Sequence, residues 1–264
     1  VISNHLCLVR GGGDLGTGVT MQLKRKGIPV VVSDLENPLA VRRKVSLSTA
    51  IIEKNVQVEE IRGELVEDVS NVDAFLADDV IPVIVCESIP PIEFSVIVDA
   101  RMQKKPLDTT IEDAELVIAL GPGFCAGKDC HAVIETMRGP DMGKVIWNGY
   151  AQANTGVPGE VGGLTSERLL RSPSDGVVSW VKEIGNLVKK GEVIGSVGDD
   201  LITAGTSGLI RGMINEGSFS EAGMKIGDID PRGIDVDVGK VSDKALAVGN
   251  GVTETVKAWL EKKQ

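Results

Sequence analysis

"RGGGDLGTG", residues 10–18, joins an apolar run, Leu6-Cys7-Leu8-Val9, to a segment with helical spacing, Leu15–Lys26. Within it Gly11, Gly13 and Gly16, with Asp14 between them, satisfy G-x-G-x-x-G. In that pattern the first glycine makes a tight turn, the second lets backbone approach a pyrophosphate, and the third lets helix pack on strand. The amides and dipole of the following helix then face the anion. Asp34 stands 21 residues past Gly13, at the end of a second apolar run, where a carboxylate can hold a ribose hydroxyl. The stretch therefore reads as a nucleotide or dinucleotide cradle. Asp34 favours NAD over NADP, a preference that nearby Arg42 and Arg43 weaken.

Working outward, the runs at 29–32, 81–85, 96–98 and 116–120 are short, apolar and bounded by turn residues. Runs without polar alternation fit a parallel sheet covered on both faces. The expected fold class is α/β: a Rossmann-like, doubly wound parallel sheet over residues 1–168, followed by a small all-β domain over 169–232. A C-terminal strand and helix, 233–264, are expected to return to the first domain. Ser242 is a candidate N-cap for that helix.

Of 264 residues, 42% are hydrophobic but only 3% aromatic, so the core must be aliphatic. A net charge of −10 excludes a general nucleic-acid or membrane-surface binder, since both need a basic field. No apolar run approaches the ~20 residues that span a bilayer, and no leader pattern stands at the N-terminus. The four cysteines are few for the length, which is the simplest signature of a reduced, cytoplasmic chain.

Ligands of open parallel sheets bind beyond the carboxyl ends of the strands. Five such ends carry polar or reactive groups: the Gly11 loop, Asp34, Cys86-Glu87, Asp99-Ala100-Arg101, and the stretch 121–131, "GPGFCAGKDCH". All five are expected along one edge. Asp99 and Arg101 are candidate catalytic groups, the basic groups Arg101, Lys104 and Lys105 would suit a phosphate or carboxylate, and Gly121 and Gly123 would line the cradle. Asp129 is read as the start of a helix to Met137, which would bring His131 and Glu135 together at i,i+4 for acid–base work. Cys130 near that helix N-terminus would be a reactive thiol. Cys125, Cys130 and His131 lack a fourth ligand, so no metal site is expected.

Residues 172–230 hold an internal repeat. Gly176, Gly185, Gly191 and Gly195 recur as Gly208, Gly217, Gly223 and Gly227, 32 residues later each time. The block resembles the biotinyl/lipoyl-like barrel-sandwich domain. The hairpin that would carry the modified lysine is Gly198-Asp199-Asp200-Leu201, so a carrier role is not implied and a docking or structural module is.

"RGGGDLGTGV", "NPLAVRRKVS", "VIALGPGFCAGKDCHAVIETMRG", "NTGVPGEVGG" and "GMKIGDIDPRG" together resemble the YqeB-type family, the accessory proteins of selenium-dependent molybdenum hydroxylases. The similarity runs over about residues 6–262. It implies a cytoplasmic factor acting beside a xanthine-dehydrogenase-like enzyme or proteins of its cofactor pathway. Such a factor would bind a nucleotide or molybdopterin-type cofactor, with Cys130 and His131 fitting the family pattern better than Cys125. The β module would dock a partner or make a homo-oligomer. Two other readings remain open: an NAD-dependent oxidoreductase with His131 as acid–base group, and a non-catalytic scaffold.

Overall fold

The computed structural model describes residues 5–102, 108–153, 156 and 159–263. The chain divides into two units. Val1–Glu36, Ser46–Asn154 and Val241–Gln264 form the first, and Asn37–Val45 with Thr155–Lys240 form the second.

The first unit contains strands β1 (Cys7–Arg10), β2 (Val30–Asp34), β3 (Asn55–Val58), β4 (Ile61–Leu65), β5 (Ile81–Val85), β6 (Val96–Asp99), β7 (Leu116–Leu120), β8 (Cys125–Ala126), β9 (Ala132–Ile134), β10 (Val145–Ile146) and β11 (Gly149–Tyr150). Its helices are α1 (Asp14–Lys24), α2 (Thr49–Glu53), α3 (Val72–Ala77) and α4 (Asp243–Glu261). Nine strands make one sheet in the order β10-β9-β7-β6-β1-β2-β5-β4-β3, and β8 pairs with β11 apart from it.

The sheet corrects the expected fold class. It is mixed, since β3 and β10 run antiparallel to β4 and β9 at its two edges. A doubly wound sheet returns each parallel strand through a helix. Here the crossovers from β5 to β6, β6 to β7 and β7 to β9 contain no helix among the described residues. Loop residues such as Phe94 and Phe124 cover that part of the sheet instead.

Side chains alternate across the strands. Leu8, Val31, Ile84, Ile97, Val117 and Val133 face one side, where Val72, Phe75 and Leu76 around α3 and the loop residues Phe94 and Phe124 pack on them. On the other side, α1 packs on β1 and β2, and α4 on β7 and β9. The two long helices also pack on each other. A Cβ on Gly18 would lie 2.6 Å from the Ala245 carbonyl, and one on Gly249 would lie 2.5 Å from the Gly18 oxygen. Glycine at both positions is what lets the helices approach so closely. Ser242 caps α4, its hydroxyl accepting from the Ala245 amide at 3.1 Å.

The second unit is built of β12 (Leu169–Arg171), β13 (Gly176–Trp180), β14 (Leu187–Val188), β15 (Val193–Val197), β16 (Asp200–Thr203), β17 (Gly208–Met213), β18 (Phe219–Ser220) and β19 (Lys225–Asp230). They form two four-stranded antiparallel sheets, β12-β19-β17-β14 and β16-β15-β13-β18. The glycine repeat is a strand repeat: β13, β14 and β15 correspond to β17, β18 and β19. The middle strands are exchanged, with β14 pairing to β17 and β18 to β13. Between the sheets lies an aliphatic core that includes Val178, Ile194, Val197, Ile210, Ile226 and Ile229. β12, from before the repeat, completes one sheet. The unit is thus described by its two antiparallel sheets, and the barrel-sandwich assignment is not supported. Residues 234–238, whose alternation predicts a strand, begin with a 3-10 turn, Gly233–Asp235.

Candidate functional site

The carboxyl ends of β1, β2 and β6 converge on the glycine turn. Gly11 has φ +99°, and a Cβ there would lie 3.0 Å from the Arg101 amide nitrogen. On Gly12 a Cβ would meet the Ser48 amide nitrogen at 2.8 Å, and on Gly16 it would overlap the Gly11 carbonyl. Protein packing therefore accounts for glycine at all three positions.

Gly13 is different. Its φ of −70° suits any residue, and no described residue lies within 4 Å of a Cβ built on it. It is the N-cap of α1, and no side chain caps that end. The first-turn amides of an α-helix have no intrahelical acceptor, so the turn offers donors and positive potential in front of an open Gly13.

The turn is braced from behind. The Thr17 hydroxyl donates to the Gly12 carbonyl at 3.2 Å and accepts from the Leu47 amide at 2.9 Å. Asp34 accepts from the Gly12 amide and from the Leu35 amide, each at 2.8 Å. Burial raises the Asp34 pKa against these two amide bonds and the Arg101 charge, which lower it. Next to Gly12, the buried Ser48 Oγ has no hydrogen-bond partner among the described residues.

Beside the turn stands a cluster of buried charge. Arg10 and Asp99 are register partners at the ends of β1 and β6. Arg101 Nη2 reaches Asp99 Oδ2 at 2.5 Å, and the Thr109 hydroxyl donates to the same oxygen at 2.6 Å. Thr109 Oγ1 in turn accepts from Arg10 Nη1 at 2.6 Å and Arg101 Nη2 at 3.0 Å. Asp108 bridges the two arginines, 2.8 Å from Arg10 Nη2 and 2.8 Å from Arg101 Nη1. Partial burial works to raise its pKa, but the hydrogen bonds from Arg10 and Arg101 prevail and hold it at about 2. The sequence reading missed Arg10, Asp108 and Thr109. A signal for Arg10 existed: a cation at the last position of a buried run, where the neighbouring buried run ends in Asp99.

Gly121 also reaches this edge, its amide donating to the Ile134 carbonyl at 2.9 Å. Its φ is +69°, and a Cβ there would meet Thr136 Oγ1 at 2.6 Å. Gly123 follows with φ +119°. Lys104 lies outside the described residues.

The cluster expected around residues 129–137 is corrected. Residues 132–134 are strand β9, not helix, so His131 and Glu135 are at opposite ends of it, about 13 Å apart. His131 stands at the amino end of the neighbouring strand, its Nδ1 accepting from the Val117 amide at 3.0 Å. That bond leaves the proton of the neutral ring on Nε2. Burial lowers its pKa. Glu135 lies beyond the carboxyl end of β9, with Oε1 and Oε2 accepting from the Met137 and Gln152 amides at 2.7 and 2.8 Å. Cys130 is a core residue whose thiol donates to the Ala132 carbonyl at 3.3 Å. Burial, then the Asp129 charge, push its pKa up to about 12. The edge therefore gathers Gly11, Gly13, Asp14, Gly16, Asp34, Asp99, Arg101, Gly121 and Glu135, and leaves out Cys130 and His131. Among the described residues no group of three or more His, Cys, Asp or Glu side chains is placed to hold a metal ion.

Fold and site together define an α/β chain with an open glycine turn at the carboxyl edge of a mixed sheet. It is 41% identical over 256 residues to a protein of Escherichia coli (strain K12) named "Uncharacterized protein YqeB", a match covering 96% of this chain and 47% of the relative. That similarity supports membership of the YqeB family, and the chain spans about half the length of the curated relative it matches. No family model matches. Similar solved structures include an aspartoacylase family protein from Mesorhizobium loti, with 11% identity, TM-score 0.27, and 85% of this chain and 84% of that one covered. Another is the product-bound ectoine utilization protein EutE (DoeB) from Ruegeria pomeroyi, with 10% identity, TM-score 0.26 and 85% of each chain covered. Superpositions this loose carry no argument about either chain's chemistry. No described helix is long and apolar enough to cross a membrane.

Proposed function

We propose that the glycine turn binds the phosphate of a nucleotide-bearing cofactor, and that the chain is an accessory factor for a selenium-dependent molybdenum hydroxylase. The observation that carries the binding reading is Gly13. Gly11, Gly12 and Gly16 are glycines because the protein leaves no room for more, whereas no described residue approaches a Cβ on Gly13 and no described side chain caps its helix start. Bare backbone there suits an oxyanion approaching the first-turn amides. The unpartnered Ser48 Oγ beside Gly12 adds a polar group to the same surroundings.

The accessory role rests on the motif resemblance and is supported by the YqeB similarity, which bears on family alone. The first ligand to test is a molybdopterin-type cofactor or precursor. In this role the chain acts in the cytoplasm, beside the hydroxylase or proteins of its cofactor pathway.

A thermal-shift panel of NAD, NADP, CTP, and molybdopterin with and without cytidine tests it. A ligand at ~100 times its Kd adds about 2.7 kcal/mol, or roughly 5–10 °C for a chain of this size. The expected result is a shift with the pterin or cytidine compounds that Gly13→Val removes. A shift with NAD alone replaces this reading with an oxidoreductase. No shift with any of them leaves a scaffold.

A further inference from the structure

Two guanidinium groups at the edge of the sheet share one carboxylate that is half in water. The Arg10 side chain is 1% exposed and that of Arg101 15%, yet Asp108 between them is 53% exposed. Among the described residues the other contacts of the arginines are internal: Arg10 donates to Thr109 Oγ1 and the Glu87 carbonyl, and Arg101 to Asp99 and Thr109. Asp99 is 1% exposed and held by Thr109 and Arg101, so it is a fixed counter-charge for one arginine. The second positive charge is balanced by a group that water already reaches.

We propose that Arg10 and Arg101 form a phosphate-binding clamp that Asp108 occupies as an internal stand-in for the ligand. Asp108 takes one 2.8 Å contact from each arginine, each on a different oxygen, and guanidinium groups are the donors suited to phosphate oxygens. A phosphate entering the clamp takes over both contacts, and Asp108 moves into water at small cost in buried area. Arg10 directly precedes the glycine turn, and Arg101 packs on Gly11, so the clamp lies beside the turn. This inference goes beyond the glycine-turn reading and does not depend on it.

The test is the response of Asp108→Ala to inorganic phosphate, against chloride at matched ionic strength, followed by thermal unfolding. The variant should melt below wild type, because a buried arginine loses its partner. Saturating phosphate should restore about 5 °C or more. Wild type should gain less, since phosphate must first displace Asp108. Arg101→Lys in the Asp108→Ala background should weaken the response. Asp108→Asn, which keeps size and removes charge, serves if the alanine variant does not fold. Cytidine monophosphate run in parallel separates the sources. An equal response assigns the clamp to a free phosphate group, and a larger one to a phosphate borne by a nucleotide. The proposal is overturned if neither Asp108 variant gains more from phosphate than from chloride. Adding Gly13→Val keeps the two sites apart, because it should leave the clamp's phosphate response intact.

Discussion

The backbone amide of Gly12 donates to the Asp34 carboxylate at 2.8 Å, fastening the turn after β1 to the end of β2. The other oxygen of Asp34 accepts from Leu35, so both are engaged by backbone. Asparagine at 34 would turn an amide donor toward one of those N–H groups, at a cost of about 1–3 kcal/mol. Burial holds the Asp34 pKa above its ordinary value. A carboxyl group raised on folding contributes most stability below its unfolded pKa, near ~4, and loses that contribution as pH rises through the folded value. Asp34→Asn should therefore be less stable overall, and it should lack this particular decline just above pH ~4. Melting temperature against pH for both proteins measures the two effects.

Gly12 and Gly13 are neighbours in the chain, yet they should respond differently to alanine. At Gly12 the new Cβ would press on the Ser48 amide, 2.8 Å away, and should cost about 1–3 kcal/mol. At Gly13 there is space, and the loss of a good N-cap residue is offset by a stiffer unfolded chain, so stability should change by roughly 0.5 kcal/mol or less. Denaturant unfolding of the two variants compares them. Equal destabilisation would remove the case for an open position at Gly13.

Cys130 should resist alkylation in the native protein at neutral pH. Its thiol is in the core and its pKa lies at about 12, so the thiolate is scarce as well as covered. Cys86 and Cys125 are only partly buried and should react first. Mass mapping after brief iodoacetamide treatment shows the order. Reaction at Cys130 as fast as at Cys125 would contradict a core position.

In the second unit Asp230 is 1% exposed between Arg232, at 2.7 Å, and Arg211, at 3.7 Å. Burial works to raise its pKa, and the Arg232 hydrogen bonds outweigh it, leaving the pKa lowered. Asp230→Ala removes these bonds, and because the Arg232 side chain is 53% exposed water takes up part of its charge, so the cost should be about 1–3 kcal/mol. In wild type the Asp230 contribution is present above the unfolded carboxylate pKa and fades as pH falls through the lowered one. The variant should show a shallower acid limb. An unchanged acid limb would mean that the pair contributes nothing at neutral pH.

The strands that sequence revealed are those buried on both faces. Cys7–Arg10, Val30–Asp34, Ile81–Val85, Val96–Asp99 and Leu116–Leu120 are apolar runs because helices or loops cover them on either side. β3 and β4 carry exposed polar residues at the sheet margin and gave no such run. β9 has three residues, too few to show a period, and Asp129 with Glu135 mimicked the two ends of a helix turn. The missing crossover helices were invisible for another reason. An apolar strand records that it is covered, and Phe94 or Phe124 on a loop covers as well as a helix does. The turn at Gly11–Gly13 was legible because its pattern lies within one short stretch, residues 10–18, even though Arg101 and Ser48 are what exclude a side chain at Gly11 and Gly12. The Arg10–Asp108 pair was not, because its partners are 98 residues apart in the chain.

The close approach of Gly18 to Ala245 and Gly249 also sets an order of events during synthesis. The helix that opens on the glycine turn, Asp14–Lys24, is translated well before its partner, Asp243–Glu261. Between them the ribosome delivers Thr155–Lys240, which belongs to the other unit. The β unit can therefore close while the α/β unit still waits for α4. A nascent or truncated chain that stops before residue 243 should hold a folded β unit while α1 of the other unit still lacks its α4 partner.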